Sequence, residues 1–274
     1  MVPLVDTHCH LLAGLDDGPK TIEEAVQMCR IAYEDGTRTV AATAHLNEQW
    51  PEVTPDRIRA ATALLSLKLK EIKLPLSVYP SSEVMVRHDL VQAWGRNELL
   101  SLADLGKYLL IELPSHVYLD LRKMISDLMG SGVRPILAHP ERHPEFLYER
   151  NALPELTRRG CLVQVSSGSI THPQNRRDAR ALRTWICGGL VHLVASDGHS
   201  SGRRAPRMKD AYGCVASWAG MEVADRLCSS NGLAVLSGLP VRHVPRSRPA
   251  PGWFSGLFAG GRKPRLAEPG SEVT

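Results

Sequence analysis

The sequence lacks the features that mark exported, membrane-spanning and nucleotide-binding proteins. It contains no run of about 18 uncharged apolar residues, and Asp6 and His8 stand where a signal peptide would be apolar, so we expect a cytoplasmic protein. The six cysteines form no Cys-x-x-Cys pair, which favours reduced, buried thiols over disulfides or a structural zinc site. No Gly-x-Gly-x-x-Gly or P-loop follows the first apolar run, which argues against a nucleotide-binding fold. The net charge of only +4 argues against a nucleic-acid-binding body.

Short apolar or β-branched runs alternate with helical patterns along most of the chain. The runs predict seven strands, at 3–7, 38–43, 76–80, 108–113, 134–138, 161–166 and 191–195. The helical patterns cover 21–35, 55–73, 117–131, 152–159, 174–187 and 207–229, and the first begins with a Thr-x-x-Glu capping box at Thr21 and ends at Gly36. This alternation predicts an α/β fold with a mostly parallel sheet, either an open sheet or a barrel.

The composition changes after Leu239. We therefore predict one domain over 1–239 and a Pro/Gly/Arg-rich, disordered C-terminal tail over 240–274. Residues 241–265 hold six Arg or Lys and no Asp or Glu. The apolar residues of 253–258 could dock on a membrane or a partner beside these charges, or could be ordinary linker residues.

Metal-type ligands follow nearly every predicted strand. His8 and His10 are two residues apart in an extended segment, so both imidazoles point to one side. Parallel β/α folds build their sites at the carboxyl ends of strands, and only the sixth strand offers no ligand there. With the nearby Asp17, the candidates are His8, His10, Asp17, His45, Glu83, Glu112, His139, Asp197 and His199. Hydrogen-bonding or capping roles explain each residue singly, but so many independent coincidences are improbable.

Five imidazoles and four carboxylates are too many ligands for one ion. Mixed nitrogen and oxygen ligation without thiolate suits Mn²⁺, Fe²⁺ or Zn²⁺ at a multinuclear hydrolytic centre. Arg142 follows His139 by three residues and Arg204 follows His199 by five, and guanidinium groups beside a metal cluster indicate a phosphate substrate. Arg203 and Arg207 are alternatives to Arg204 on sequence alone.

The segments DTHCHLLAGLDDGPKT, SSEV, LLIELP, ILAHPER and VASDGH carry a family resemblance. The sequence resembles the polymerase-and-histidinol-phosphatase (PHP) superfamily from about residue 3 to about residue 230. Within it, the chain is similar to the bacterial manganese-dependent protein-tyrosine phosphatases of capsule and exopolysaccharide operons (CpsB/CapC-like). Two features depart from the family pattern: Ala44-His45-Leu46 stands where the family usually has Pro-His-His, and the basic tail is extra.

The resemblance implies a PHP-type distorted (β/α)7 barrel with a trinuclear Mn²⁺ site at the carboxyl strand ends, Fe²⁺ or Zn²⁺ being alternatives. The nine positions above would supply its ligands, with Glu83 bridging two ions. The resemblance also implies that Arg142 and Arg204 hold the phosphoryl oxygens. Asp197, His199 or metal-bound water would protonate the leaving phenolate where it needs a proton. The sequence leaves open whether Asp16 shares the role of Asp17.

By this resemblance the expected activity is metal-dependent hydrolysis of phosphotyrosine. The expected partner is the phosphotyrosine tail of a bacterial tyrosine autokinase that regulates capsule or exopolysaccharide synthesis, with the basic tail holding the enzyme near the membrane. The alternatives are a histidinol-phosphate-like small-molecule phosphatase, a PHP domain acting on nucleic-acid ends, and a non-catalytic metal-binding scaffold. A cysteine-dependent phosphatase is excluded, because no cysteine has an arginine six residues later.

Overall fold

The apolar runs form seven strands in a single sheet. The structure, a computed structural model, describes residues 2–114, 117–149 and 151–246. The strands are β1 (Leu4–His10), β2 (Thr37–Leu46), β3 (Ser77–Met85), β4 (Tyr108–Glu112), β5 (Arg134–Ala138), β6 (Leu162–Ser166) and β7 (Leu193–Ala195). They lie side by side in chain order and every neighbouring pair is parallel. All seven predicted strands are present, and the carboxyl ends of all of them meet at one edge.

The sheet curves into a nearly closed barrel, as the resemblance implied. Its seam is joined at the carboxyl edge, where the Asp197 N–H donates to the His8 carbonyl and the His10 N–H donates to the Gly198 carbonyl, both at 2.8 Å. Further down the seam, residues 226–236 cover the space between β1 and β7. Gly232 lies so close to this part of β1 that an added Cβ would be 2.9 Å from a methyl carbon of Val5.

Helices cover the outside of the barrel. The α-helices are α1 (Ile22–Asp35), α2 (Pro55–Glu71), α3 (Leu90–Gly95), α4 (Arg122–Gly130), α5 (Pro144–Tyr148), α6 (Ala152–Arg158), α7 (Ser167–Thr171), α8 (Arg176–Cys187), α9 (Lys209–Ala219), α10 (Met221–Asp225) and α11 (Asn231–Leu236). Short 3₁₀ turns lie at Leu102–Asp104 and Pro140–Arg142, and Arg226–Ser230 is a π-helical turn. The predicted start of α1 is confirmed, because the Thr21 hydroxyl accepts from the Glu24 N–H and Gly36 ends the helix at φ 110°.

Two predicted helices differ from the structure. The helix expected over 117–131 begins only at Arg122, where the Asp120 side chain accepts the Arg122 N–H and so fixes the first turn. The helix expected over 207–229 is divided at Gly220, whose φ of 94° cannot continue a helix. The short helices α3, α5, α7 and α11 were not predicted, since five or six residues are too few to show helical periodicity.

Alternation along β4 places the site inside the barrel. Leu109 and Ile111 pack among the helices on the outside, whereas Tyr108 and Leu110 belong to the apolar cluster within the barrel. Since side chains two residues apart share a face, Glu112 extends this inward row at its carboxyl end. Apolar residues therefore fill the lower barrel, and polar residues occupy its carboxyl mouth.

The first residues of the predicted tail lie against the barrel. The His243 carbonyl accepts from the Arg226 guanidinium, and Val244 is fully buried. A domain boundary at 239 and disorder beyond it remain a prediction, which for 247–274 falls outside the described residues. All six cysteines are free and five are buried, as expected. Among the described helices, none combines the length and apolar character that crossing a bilayer requires.

Candidate metal centre

The nine predicted ligands meet at the carboxyl mouth of the barrel. They form four overlapping groups, and within each group the ligand atoms lie within 4.8 Å of one another. The groups are His10/Asp17/His45/His199, His8/His10/Asp197, His8/Glu83/His139 and His45/Glu83/Glu112. Each of the nine residues belongs to at least one group, so the structure brings all the predicted ligands together, and their metal-binding role stays a prediction.

Strand β1 presents its two imidazoles to the same point. His8 and His10 are fully buried and their Nε2 atoms are 3.1 Å apart. The other nitrogen of each ring is held from outside the cluster: His8 Nδ1 donates to Gln164 Oε1 at 2.9 Å, and His10 Nδ1 donates to Asp16 Oδ2 at 2.7 Å. The Gln164 amide is in turn oriented by donating to the Thr7 hydroxyl at 2.8 Å.

These outer contacts determine which nitrogens face the centre. Because an amide or carboxylate oxygen only accepts, the Nδ1 atoms of His8 and His10 carry the protons and each Nε2 of a neutral ring carries a lone pair. Two lone pairs at 3.1 Å repel each other unless a cation lies beside both. This is the arrangement in which proteins hold metal-binding histidines, with a carboxylate or amide fixing the far nitrogen.

Glu83 occupies the middle of the cluster. Its two oxygens lie 2.8 Å from His139 Nε2, 3.1 Å from His8 Nε2 and 3.3 Å from His45 Nδ1. Burial would raise the pKa of this carboxyl, but it is lowered well below its usual range where His8 is protonated and the neighbouring imidazoles donate hydrogen bonds to it. Glu83 belongs to two of the four groups, which fits its expected position between two ions.

Several buried polar atoms of the cluster have no hydrogen-bond partner among the residues that the structure describes. His45 Nδ1 and Glu112 Oε1 approach to 3.0 Å without hydrogen-bond geometry, and both are without a partner, as is His139 Nδ1. A buried polar atom left unpaired costs about 1–3 kcal/mol, so a cluster of them calls for another binding partner. Together with the nitrogen and oxygen donor set, these atoms fit divalent transition-metal ions.

The adjacent aspartates of the DDG element have different roles. Asp17 is half-exposed, and its Oδ1 lies 3.2 Å from His199 Nε2 and 3.5 Å from His45 Nε2. Asp16 is buried outside the cluster and accepts from His10 Nδ1 and from the backbone N–H groups of Gly18 and His45. A Cβ on Gly18 would lie 3.0 Å from the His10 carbonyl oxygen, so a glycine lets this turn fold against β1.

Arg142 and Arg204 converge on one carboxylate beside the cluster. Both guanidinium groups contact Asp197 Oδ2, the second at 2.8 Å. Burial would raise the pKa of Asp197, but His8 and the two arginines lower it well below its usual range. His139 and Asp197 have φ values of 33° and 51°, a left-handed conformation that is rare outside glycine and is found at functional sites.

A cavity of about 630 Å³ opens beside this carboxylate. Arg142, Arg204 and Asp197 line it together with Glu112 and His139, so phosphate-type and metal-type ligands share one space. His143 and the exposed His172 also line the cavity.

Two functional contacts were missed from the sequence. The sixth strand offers no ligand, as noted, but its Gln164 fixes the tautomer of His8. The sequence feature that could have identified Gln164 is a single amide side chain inside the buried run LVQVS. Asp6 accepts from the backbone N–H groups of His8 and Ser196 and so fastens the barrel seam beneath the cluster. The sequence feature that could have identified Asp6 is its charge within the apolar first strand.

Comparisons with known proteins agree with this geometry. The family model described as capsular polysaccharide synthesis, CpsB/CapC, matches residues 4–237. Tyrosine-protein phosphatase YwqE of Bacillus subtilis (strain 168) is 31% identical over 245 residues, which cover 89% of this chain and 96% of that protein. Tyrosine-protein phosphatase CpsB of Streptococcus pneumoniae is 28% identical over 234 residues, covering 83% and 96%.

A solved structure extends the comparison to three dimensions. It comes from crystal structures of YwqE from Bacillus subtilis and CpsB from Streptococcus pneumoniae, described as unique metal-dependent tyrosine phosphatases. It matches with a TM-score of 0.83 and 31% sequence identity, over 90% of this chain and 99% of that chain. The similarity therefore extends over the whole barrel and its carboxyl mouth.

Proposed function

Because the chain belongs to the CpsB/CapC family of capsular polysaccharide synthesis, we propose that it is a metal-dependent protein-tyrosine phosphatase. The observation that carries this proposal is the convergence of Arg142 and Arg204 on Asp197 beside the nine-residue cluster. Phosphoryl transfer needs positive charge around the phosphorus and a positioned nucleophile, and this cavity provides both kinds of group within one space.

Different residues of the site would have different roles in the hydrolysis of a phosphomonoester. Gln164 and Asp16 hold the His8 and His10 lone pairs toward the centre. Bound metal ions would activate water and offset phosphate charge there. Arg142 and Arg204 would bind the non-bridging phosphoryl oxygens and fix the ester for in-line displacement. We assign them as catalytic residues for this reason.

Tyrosine is a favourable leaving group for such a site. Its pKa of about 10 lies far below that of an alkyl alcohol, so phenolate needs little protonation as it leaves. Where a proton is needed, His199 of the cluster or water held by the bound ions would supply it, whereas Asp197 could do so only if it were protonated, which its contacts with Arg142 and Arg204 oppose. The buried Cys9 does not offer a competing route, because burial raises the pKa of its thiol well above the usual value.

We further propose that the cluster holds Mn²⁺, with three ions sharing the nine ligands, and Fe²⁺ or Zn²⁺ as competing ions. Four overlapping ligand groups with residues in common support more than one ion. The absence of thiolate from the donor set favours Mn²⁺ or Fe²⁺ over a soft metal. Elemental analysis of the purified protein, as ions per chain, tests both the identity and the number.

The proposed substrate protein is a tyrosine autokinase that regulates polysaccharide synthesis, reached from the cytoplasm. The basic residues of 241–265 would keep the enzyme near an anionic membrane surface. A chain ending at Arg246 retains the segment that packs on the barrel and removes the rest of the tail. If this shortened chain still reaches the membrane and dephosphorylates the kinase at the full rate, the proposed role of the tail is wrong.

The activity itself is tested by phosphate release. Wild-type protein loaded with Mn²⁺ is given a phosphotyrosine peptide, a phosphoserine peptide and histidinol phosphate, with metal content measured in parallel. We expect turnover of phosphotyrosine that is lost in His8→Ala/His10→Ala and kept in the matched control His88→Ala, an exposed histidine outside the cluster. Preferred turnover of histidinol phosphate would indicate a small-molecule phosphatase instead. Bound metal without turnover of any substrate would indicate a scaffold.

A further inference from the structure

The cavity beside the metal centre extends beyond the groups needed to hold a phosphate. Its volume of about 630 Å³ is in the range that encloses a drug-sized ligand, which is larger than one phosphotyrosine side chain. Away from the Arg142–Asp197–Arg204 contact, its wall includes Arg203 and Arg207. The cavity therefore has both space and charge that hydrolysis of the phosphoester does not use.

The charges of these two arginines are poorly compensated. Among the described residues, no carboxylate forms an ion pair with Arg203, and both side chains are exposed. Arg207 Nη1 is 3.8 Å from Asp35 Oδ1, well beyond the 2.7–2.9 Å that is typical of a charge-assisted hydrogen bond. In contrast, Arg142 and Arg204 both contact Asp197. The outer part of the cavity thus carries positive charge without a matching carboxylate.

The backbone at Arg207 is held by hydrogen bonds to two neighbouring elements. Asp35 Oδ2 accepts the backbone N–H groups of Met208 at 2.6 Å and Lys209 at 2.8 Å, which ties the loop to the end of α1. The Ser167 hydroxyl donates to the Arg207 carbonyl at 2.6 Å, which ties the same loop to α7. A side chain presented from a fixed backbone loses less freedom when it binds an anion.

From this arrangement we infer that Arg203 and Arg207 form a subsite for an acidic side chain that flanks the phosphotyrosine of a peptide substrate. The inference rests on the proposed function. A residue one or two positions from the phosphotyrosine lies roughly 4–7 Å away along an extended chain, a distance that keeps it within the cavity or at its mouth. A guanidinium fork pairs with a carboxylate in two parallel hydrogen bonds, so aspartate or glutamate is the matching partner.

The test compares two phosphotyrosine peptides that differ only in having Glu or Gln at the positions flanking the tyrosine. For the metal-loaded protein, kcat/KM is measured on both peptides. Kd is measured for the same pair carrying a non-hydrolysable phosphotyrosine analogue. The variant is Arg203→Gln/Arg207→Gln, and the matched control is Arg158→Gln, an exposed arginine of α6 outside the cavity.

Exposed ion pairs contribute up to about fivefold each, so we expect the wild type to prefer the Glu peptide by about three- to tenfold. The double variant should reduce this ratio to about one, the control should keep it, and added salt should weaken it. A wild-type ratio of one, or a ratio that survives in the double variant, would overturn the inference. If neither peptide is hydrolysed, the proposed function fails. The Kd ratio of the analogue peptides then decides the inference separately.

Discussion

Replacing Asp16 by asparagine should weaken metal binding although Asp16 is not in the ligand cluster. The Asp16 carboxylate receives three hydrogen bonds, from His10 Nδ1 at 2.7 Å, the Gly18 N–H at 2.9 Å and the His45 N–H at 3.0 Å. All three partners are donors. The asparagine amide has one accepting oxygen and one NH₂ group, so one of its ends must face a donor.

The structure indicates which contact is lost and how large the effect is. The oxygen would keep His10 and His45, which share Oδ2, and the NH₂ group would then face the Gly18 N–H. An unpaired buried donor costs about 1–3 kcal/mol of folding free energy. Loss of the charge that holds the His10 ring should reduce metal affinity by about 10- to 100-fold, as is typical for contacts that orient a metal-binding histidine.

The assay is the dependence of phosphatase activity on Mn²⁺ concentration, with direct metal titration and urea unfolding beside it. For Asp16→Asn we expect the activation curve to move to about 10- to 100-fold higher Mn²⁺ and most of the activity to return at saturation. Asp56→Asn, an exposed aspartate of α2, is the matched control and should leave the curve in place. Wild-type metal affinity in Asp16→Asn, or lost activity with no shift in the curve, would refute the argument.

Three further predictions concern the proposed phosphate ligands, the barrel seam and the half-buried His192. Arg142→Lys and Arg204→Lys should each lower kcat/KM by about a hundredfold with unchanged metal content, since lysine cannot replace a two-point contact. Gly232→Ala should destabilise the fold by about 1–3 kcal/mol in urea unfolding, because its Cβ would lie 2.9 Å from a β1 side chain, whereas Gly213→Ala, with open space, should be neutral or stabilising. Burial lowers the pKa of His192 from 6.5 to about 4, so the unfolded chain binds a proton at this residue more readily than the folded protein does. The free energy of unfolding is therefore unaffected above pH 6.5 and falls as the pH drops below that value. Between pH 7 and pH 5 the loss should be about 2 kcal/mol, and His192→Asn, which cannot titrate, should lose that much less.

The sequence predicted the residues of the cluster because each one breaks a local pattern. Glu112 and His139 follow apolar runs that are otherwise buried, and His8 and His10 interrupt the first strand at a spacing of two. In a parallel fold the carboxyl ends of all strands meet at one edge, so local signals in separate strands point to a common place. The parallel fold and the cluster could therefore be predicted from local patterns, whereas the barrel was predicted only from the family resemblance.

The roles of Asp16 and Asp17 were not accessible in the same way. They are adjacent and chemically identical, and both follow the His-x-His segment at similar distance. What separates them is the turn at Gly18, which folds Asp16 beneath β1 and leaves Asp17 half-exposed beside His199. The distinction depends on contacts to residues as distant in the chain as His45, and such contacts cannot be predicted from a local sequence pattern.

The role of Gln164 could not be predicted from a local pattern either, because it depends on a contact between distant strands. Its contact with His8 joins residues 156 positions apart, and it forms only once β1 and β6 share one barrel. The ligands are specified locally, strand by strand, but the tautomer of a ligand is specified by the closed barrel. A chain whose strands were present but whose seam was open would keep all nine ligand residues and lose the orientation of the imidazoles. Barrel closure is therefore part of the chemistry of this site, which is why damage further down the seam, at Gly232, should appear as a loss of metal affinity.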